Sequence, residues 1–166
     1  MARPAPFSQA GGFGFLLAAG ILAADQVTKI LFLKLGLLEG VSMPLIGPFK
    51  LTMVWNQGIS FSLLTAQNDL ARWALTLFAM AVAAFLGSML RKADRRLLAI
   101  GLGLVMGGAI GNAIDRMRYG AVVDFFDATG LMFPWIFNLA DSAISVGVGF
   151  LLLDSLLHKP DMPDAA

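Results

Sequence analysis

Cysteine is absent from the 166 residues, and histidine occurs once, as His158 near the C-terminus. The first absence removes disulfides, thiolate metal sites and a cysteine nucleophile together. The second removes the histidine sets that a catalytic zinc or a histidine-based triad needs. Charge is scarce too: Asp, Glu, Lys and Arg make up 14% of the chain, against about 25% in a soluble domain. A net charge of +1 gives no electrostatic footing for nucleic acid. Chemistry must come from Asp, Glu, Lys, Ser or Tyr, with no metal and no cofactor expected.

What is abundant is apolar. The composition is 58% hydrophobic with a mean hydropathy of +0.77, more than a soluble core of this size can hide. A disordered chain is excluded, and an integral membrane protein is the reading that remains. A bilayer core needs roughly 20 mostly apolar residues per helix. Trp73 to Leu90 and Leu97 to Ile114 carry no charge and flank the polar turn Arg91-Lys92-Ala93-Asp94-Arg95-Arg96. Two further runs are interrupted, one by Asp25-Gln26-Val27-Thr28-Lys29 and one by Asn138 and Asp141. The chain reads as a single membrane domain, 1–166, with an α-helical fold. Its four transmembrane helices fall near 12–33, 70–90, 97–117 and 136–157, with connections near 34–69 and 118–135. Arg3, the apolar run 13–22 and Ala23-Ala24 also mimic a cleavable signal peptide, although the apolar run resumes after Lys29.

Four of the six residues in the 91–96 turn are basic, which places that turn in the cytoplasm. Both termini then lie in the cytoplasm and the two long connections face outward. At about 1.5 Å per residue, Asp25 and Lys29, then Asn112, Asp115 and Arg116, then Asn138 and Asp141 all fall at the outer level. Ionisable groups inside a membrane are costly and usually face an interior or a watery cavity, so this convergence suggests a site. Asp25 and Lys29 are spaced i, i+4, which also suits a self-neutralising pair on one helix face. Arg116 could anchor its helix end or pair with Asp115. Gly103, Gly107 and Gly111 form a small-residue stripe suited to close helix packing.

In the first outer connection, apolar and polar residues alternate on both sides of Asn56-Gln57-Gly58, which suggests a hairpin or small sheet turning there. In the second, Asp124 and Asp127 sit among Val122, Val123, Phe125 and Phe126, so Asp124 is expected to be sheltered from water. If the loop folds back, Asp124 meets Asp141. Two carboxyls sharing a site hold one proton between them, the logic of an aspartic protease. A proton- or ion-coupled transporter would use the same buried acids. A Ser–Lys peptidase would use Ser60 or Ser62 with Lys29 or Lys50.

Five blocks carry a resemblance: Asp25-Gln26-Val27-Thr28-Lys29, Asn56-Gln57-Gly58-Ile59-Ser60-Phe61, Gly111-Asn112-Ala113-Ile114-Asp115-Arg116, Val122-Val123-Asp124-Phe125, and Phe137-Asn138-Leu139-Ala140-Asp141-Ser142-Ala143-Ile144. In this order they resemble the signature blocks of bacterial lipoprotein signal peptidase, signal peptidase II. The resemblance implies four transmembrane helices, a small extracytoplasmic β-sheet in the first outer loop, and a place in the bacterial inner membrane with the active site toward the outer face. It implies an intramembrane aspartyl endopeptidase that removes signal peptides from diacylglyceryl-modified prolipoproteins, cutting just before the lipidated cysteine. Asp124 and Asp141 map to the catalytic pair. Asp25, Lys29, Asn56, Asn112, Arg116 and Asn138 map to supporting or substrate-contact positions, and Asp115 reads as structural. The expected partners are lipidated prolipoproteins and membrane lipid, with the chain acting as a monomer.

Overall fold

The computed structural model describes residues 8–58, 69–131 and 135–158. Its four long helices are α1 (Gln9–Leu33), α2 (Asp69–Leu90), α3 (Arg96–Tyr119) and α4 (Leu139–Leu157). Each is long and apolar enough to cross a bilayer. Leucine, phenylalanine and tryptophan side chains such as Leu77, Phe78 and Phe85 on α2 and Leu152 and Leu156 on α4 remain exposed. That is how a helix looks when lipid, not protein, covers its outer face.

Helix α3 packs on all three others, and its glycines explain how. A methyl group on Gly103 would stand 2.5 Å from the Gly14 carbonyl oxygen, and one on Gly107 would stand 2.6 Å from that of Ala18. The stripe seen in the sequence is therefore the seat of α1. A second stripe faces α4: a methyl group on Gly108 would stand 2.5 Å from the Ala140 carbonyl oxygen, and one on Gly101 would stand 2.7 Å from the Leu151 side chain and 3.0 Å from the Gly147 carbonyl oxygen. Gly107→Leu should force α1 off α3. The expected cost is about 1–3 kcal/mol of stability, read as a lower melting temperature of the purified protein in detergent.

The chain ends of the helices are tied down by polar groups. Ser8 caps α1, its hydroxyl accepting from the Gly11 N–H and donating to the Ala93 carbonyl of the α2–α3 turn. Helix α1 runs unbroken through Ala23 and Ala24. Helix α3 ends at Gly120, whose φ of +79° is the left-handed stop that glycine adopts without strain.

Two long connections meet at one end of the bundle and build a four-stranded antiparallel sheet. Its strands are β1 (Ser42–Ile46), β2 (Phe49–Asn56), β3 (Val122–Asp127) and β4 (Ile136–Phe137), in the order β1-β2-β3-β4. This corrects the sequence reading in two respects. The β1–β2 hairpin turns at Gly47-Pro48, not at Asn56-Gln57-Gly58, because positive φ is taken up at Gly47. The sheet also draws half its strands from the second connection. Two strands alone are marginal in water; pairing with β3 completes the sheet. Phe32 at the end of α1 stacks on Phe125 with ring centroids 4.7 Å apart, beside Met53 and Val123. Alternation along β3 sends Val123 and Phe125 into this cluster and Asp124 to the opposite face.

Candidate active site

Asn138 organises the site. It stands between β4 and α4 as the N-cap of the helix, with 136–137 taken up by the strand, so α4 starts at Leu139. Its side-chain oxygen accepts the Asp141 N–H at 3.0 Å, and its own N–H donates to Asp141 Oδ2 at 3.1 Å. This reciprocal capping fixes the Asp141 carboxylate at the positive end of α4. The Asn138 side-chain amide donates to Asp124 Oδ1 at 2.7 Å. One residue thus holds both acids.

Two further amides complete the enclosure. Asn112 Nδ2 donates to Asp141 Oδ1 at 2.8 Å, and Asn56 Nδ2 donates to Asp124 Oδ2 at 2.9 Å. Asn56 reaches Asp124 from the neighbouring strand, where Val54 pairs with Asp124. Asp124 is 2% exposed. Burial, and then the negative charge of Asp141, push its carboxyl up to about 7, against the pull of Asn56, Asn138 and Lys29. Asp127, three residues on, has no part in this. Its carboxylate accepts from Thr52 and Thr129 instead. Burial works against its charge, but these bonds and Lys50 hold it below the usual carboxylate range.

Behind the pair lies a second cluster. Lys29 Nζ is 2.8 Å from Asp25 Oδ2, 2.8 Å from Asp115 Oδ2, and donates to Asn112 Oδ1 at 3.0 Å. The pairing of Asp25 with Lys29 is therefore not self-contained, since Lys29 is shared with Asp115. Gln26 donates to Asp115 Oδ1 at 3.0 Å and to Asp25 Oδ2 at 3.3 Å. The sequence reading assigned Gln26 no role. The clue was present: Asp115 sits on the Asn112 face of α3, at the level of Lys29, and a carboxylate at that depth needs a cation. Arg116 does not pair with Asp115. Its guanidinium contacts the Asn112 carbonyl at 3.5 Å, within electrostatic reach of Asp141 and Asp124, and its Nε has no hydrogen-bond partner among the described residues.

All eight sequence-predicted positions, Asp25, Lys29, Asn56, Asn112, Arg116, Asp124, Asn138 and Asp141, are thus brought to one end of the bundle. Ser60 and Ser62 lie outside the described residues. Lys29 is engaged by two carboxylates and by Asn112 rather than by a serine among the described residues. A cavity of about 340 Å³ lined by Trp135, Phe137, Asp141, Ser142, Ser145 and Val146 opens onto Asp141. A second, of about 270 Å³, shares Phe137 and Ser142 and is otherwise walled by Leu45, Ile46, Phe49, Lys50, Phe126 and Asp127. A larger cavity of about 420 Å³ near Gln9, Phe13 and Arg96 lies at the opposite end of the bundle, away from the acids.

Two carboxyls and three amides stand beside a largely apolar cleft, in a chain whose sequence and fold other proteins share. The family model described as signal peptidase (SPase) II matches residues 17–157. A lipoprotein signal peptidase of Caulobacter vibrioides is 51% identical over 151 residues, spanning 90% of this chain and 89% of that protein. One from Methylobacterium radiotolerans is 43% identical over 155 residues, spanning 89% and 86%. A structure described as a bacterial membrane enzyme, solved by the in meso method at 2.3 Å, superposes with a TM-score of 0.76 at 26% identity, covering 93% of this chain and 95% of that one. Another so described, at 1.9 Å, gives 0.75 at 27% identity, covering 96% and 100%. With a family match over residues 17–157, four helices long and apolar enough to span a bilayer and a small sheet, the chain belongs to the signal peptidase II family of membrane-embedded peptidases.

Proposed function

We propose that this protein is an aspartyl endopeptidase that removes signal peptides from diacylglyceryl-modified prolipoproteins, cutting just before the lipidated cysteine. The observation that carries this reading is Asn138, which ties Asp124 and Asp141 into one site through its side chain and its backbone N–H. Asp124, its carboxyl pushed up to about 7, holds the shared proton in about half of the molecules at neutral pH and donates it toward the scissile carbonyl oxygen. Asp141 takes a proton from the attacking water. No covalent intermediate forms. The amine of the new N-terminus leaves with a proton returned through the pair. Arg116, Asn56 and Asn112 support the acids or contact the substrate.

The substrate suits the setting. A lipidated signal helix already lies in the bilayer and enters laterally. The cavity that opens onto Asp141, with its neighbour across Phe137 and Ser142, offers the scissile bond and acyl chains an apolar flank. The basic 91–96 turn favours an orientation with both termini in the cytoplasm and the sheet end outside, in the bacterial inner membrane. A single chain carries every group used. A transporter is disfavoured: the buried polar residues concentrate at the sheet end, and Asp154, at the opposite end, pairs with Arg95.

Purified protein incubated with a lipidated prolipoprotein is expected to yield the shorter, lipid-bearing product by mobility shift. The same precursor without its diacylglyceryl group should stay uncut. Equal cleavage of both forms would sink the substrate assignment.

A further inference from the structure

The cluster behind the acids is joined to them through the backbone. Asp25 Oδ1 accepts the N–H of Ala140 at 3.0 Å, and Ala140 immediately precedes Asp141. Asp115 Oδ2 accepts the N–H of Val123 at 3.2 Å, and Val123 immediately precedes Asp124. Both carboxylates then meet on Lys29, each at 2.8 Å. We propose that Asp25, Lys29 and Asp115 act as one clamp that sets the spacing of Asp124 and Asp141, each carboxylate gripping the backbone on which one acid stands. The inference rests on the reading of Asp124 and Asp141 as the catalytic pair.

Insertion alone does not call for this arrangement. A single Asp25–Lys29 pair would neutralise α1, yet a second carboxylate is buried on the same ammonium, with Asp25 and Asp115 at 0% exposure and Lys29 at 2%. Burying an excess carboxylate is costly, and a clamp gives that cost a use. Gly111 leaves the space: a methyl group there would stand 2.6 Å from Asp25 Oδ2. Gln26 bridges the two carboxylates, and Lys29 also orients Asn112, the amide donor to Asp141. Four elements, α1, α3, β3 and α4, are thereby locked around one cation.

The test uses Asp25→Asn, Asp115→Asn and the double variant, with kcat and KM measured on a lipidated precursor, per folded enzyme, beside wild type and Asp141→Asn. Asparagine keeps an acceptor for the backbone N–H but loses the grip of Lys29. Misplacing a reacting group by about 1 Å can cost about 100-fold. Each single variant should therefore lose about tenfold or more in kcat with KM within about twofold. Because both act through Lys29, the double variant should be no more than about threefold worse than the weaker single. Multiplying losses, or unchanged kcat with only a lower melting temperature, would overturn the clamp. Should Asp115→Asn fail to accumulate, Lys29→Arg keeps the charge and alters its reach, and is read by the same split. If Asp141→Asn turns over normally, the catalytic pair itself falls. If Asp141→Asn is inactive while Asp25→Asn and Asp115→Asn match wild type, only the clamp falls.

Discussion

Asp124→Asn and Asp141→Asn are each expected to lower turnover of a lipidated precursor by about 10²–10⁴-fold, the usual weight of a positioned acid or base. The protein should still insert and fold, since asparagine matches the shape. Geometry adds to the chemical loss. Both oxygens of Asp124 accept amide N–H groups, from Asn138 and Asn56, and both oxygens of Asp141 accept, from Asn112 and the Asn138 backbone. An asparagine at either position must aim its own NH₂ at a donor, so one hydrogen bond is lost and the side chain shifts. That costs about 1–3 kcal/mol in stability, and the activity must be normalised to folded protein. A mobility-shift time course with wild type and both variants gives the answer. Near-normal turnover by either variant would falsify the assignment of that residue.

The helices and the level of the site were legible in the sequence for one physical reason. A bilayer forbids charge over roughly 20 residues, so Asp25, Lys29, Asn112, Arg116 and Asp141 stand out as interruptions, and counting residues from the basic turn gives their depth. Glycines at every fourth position of α3 likewise fix where α1 must lie. The sheet was harder to read. Strand pairing is set by contacts between distant segments: β2 meets β3 with the whole of α2 and α3 between them in sequence, and a single hairpin turn cannot be told from two by alternation. Asn56-Gln57-Gly58 looks like a turn because its residues suit one. In the fold, Asn56 ends β2 and spends its side chain on Asp124 and on the Gly58 N–H at 3.0 Å. Asp115 was visible but underrated. Its neighbour Arg116 offered an easy partner in sequence, whereas helix geometry turns the two side chains about 100° apart and gives Asp115 to Lys29.

Asn138→Ala is the second variant with a large expected effect, because one amide serves two purposes. Losing the N-cap acceptor should cost about 0.5–2 kcal/mol of stability. Losing the donor to Asp124 should cost about 100-fold in kcat, since the two acids are no longer held in register. The pH profile separates these effects. Catalysis in this reading needs the proton on Asp124, so the rate of the wild type should fall as pH rises through about 7. The Asn138 bond favours the ionised carboxylate. Without it the proton is held more tightly, and the basic limb should move to higher pH even as the maximum drops. Stability has the matching sign. Asp124 binds its proton more tightly folded than unfolded, so the native state is favoured below the ordinary carboxylate value of 3.8 and loses that advantage as pH climbs toward about 7. Asn138→Ser gives the control, since serine caps a helix well but is too short to reach Asp124. It should restore the melting temperature and leave kcat low. If Asn138→Ser recovers both together, the amide does no more than cap α4, and the two acids hold their positions without it.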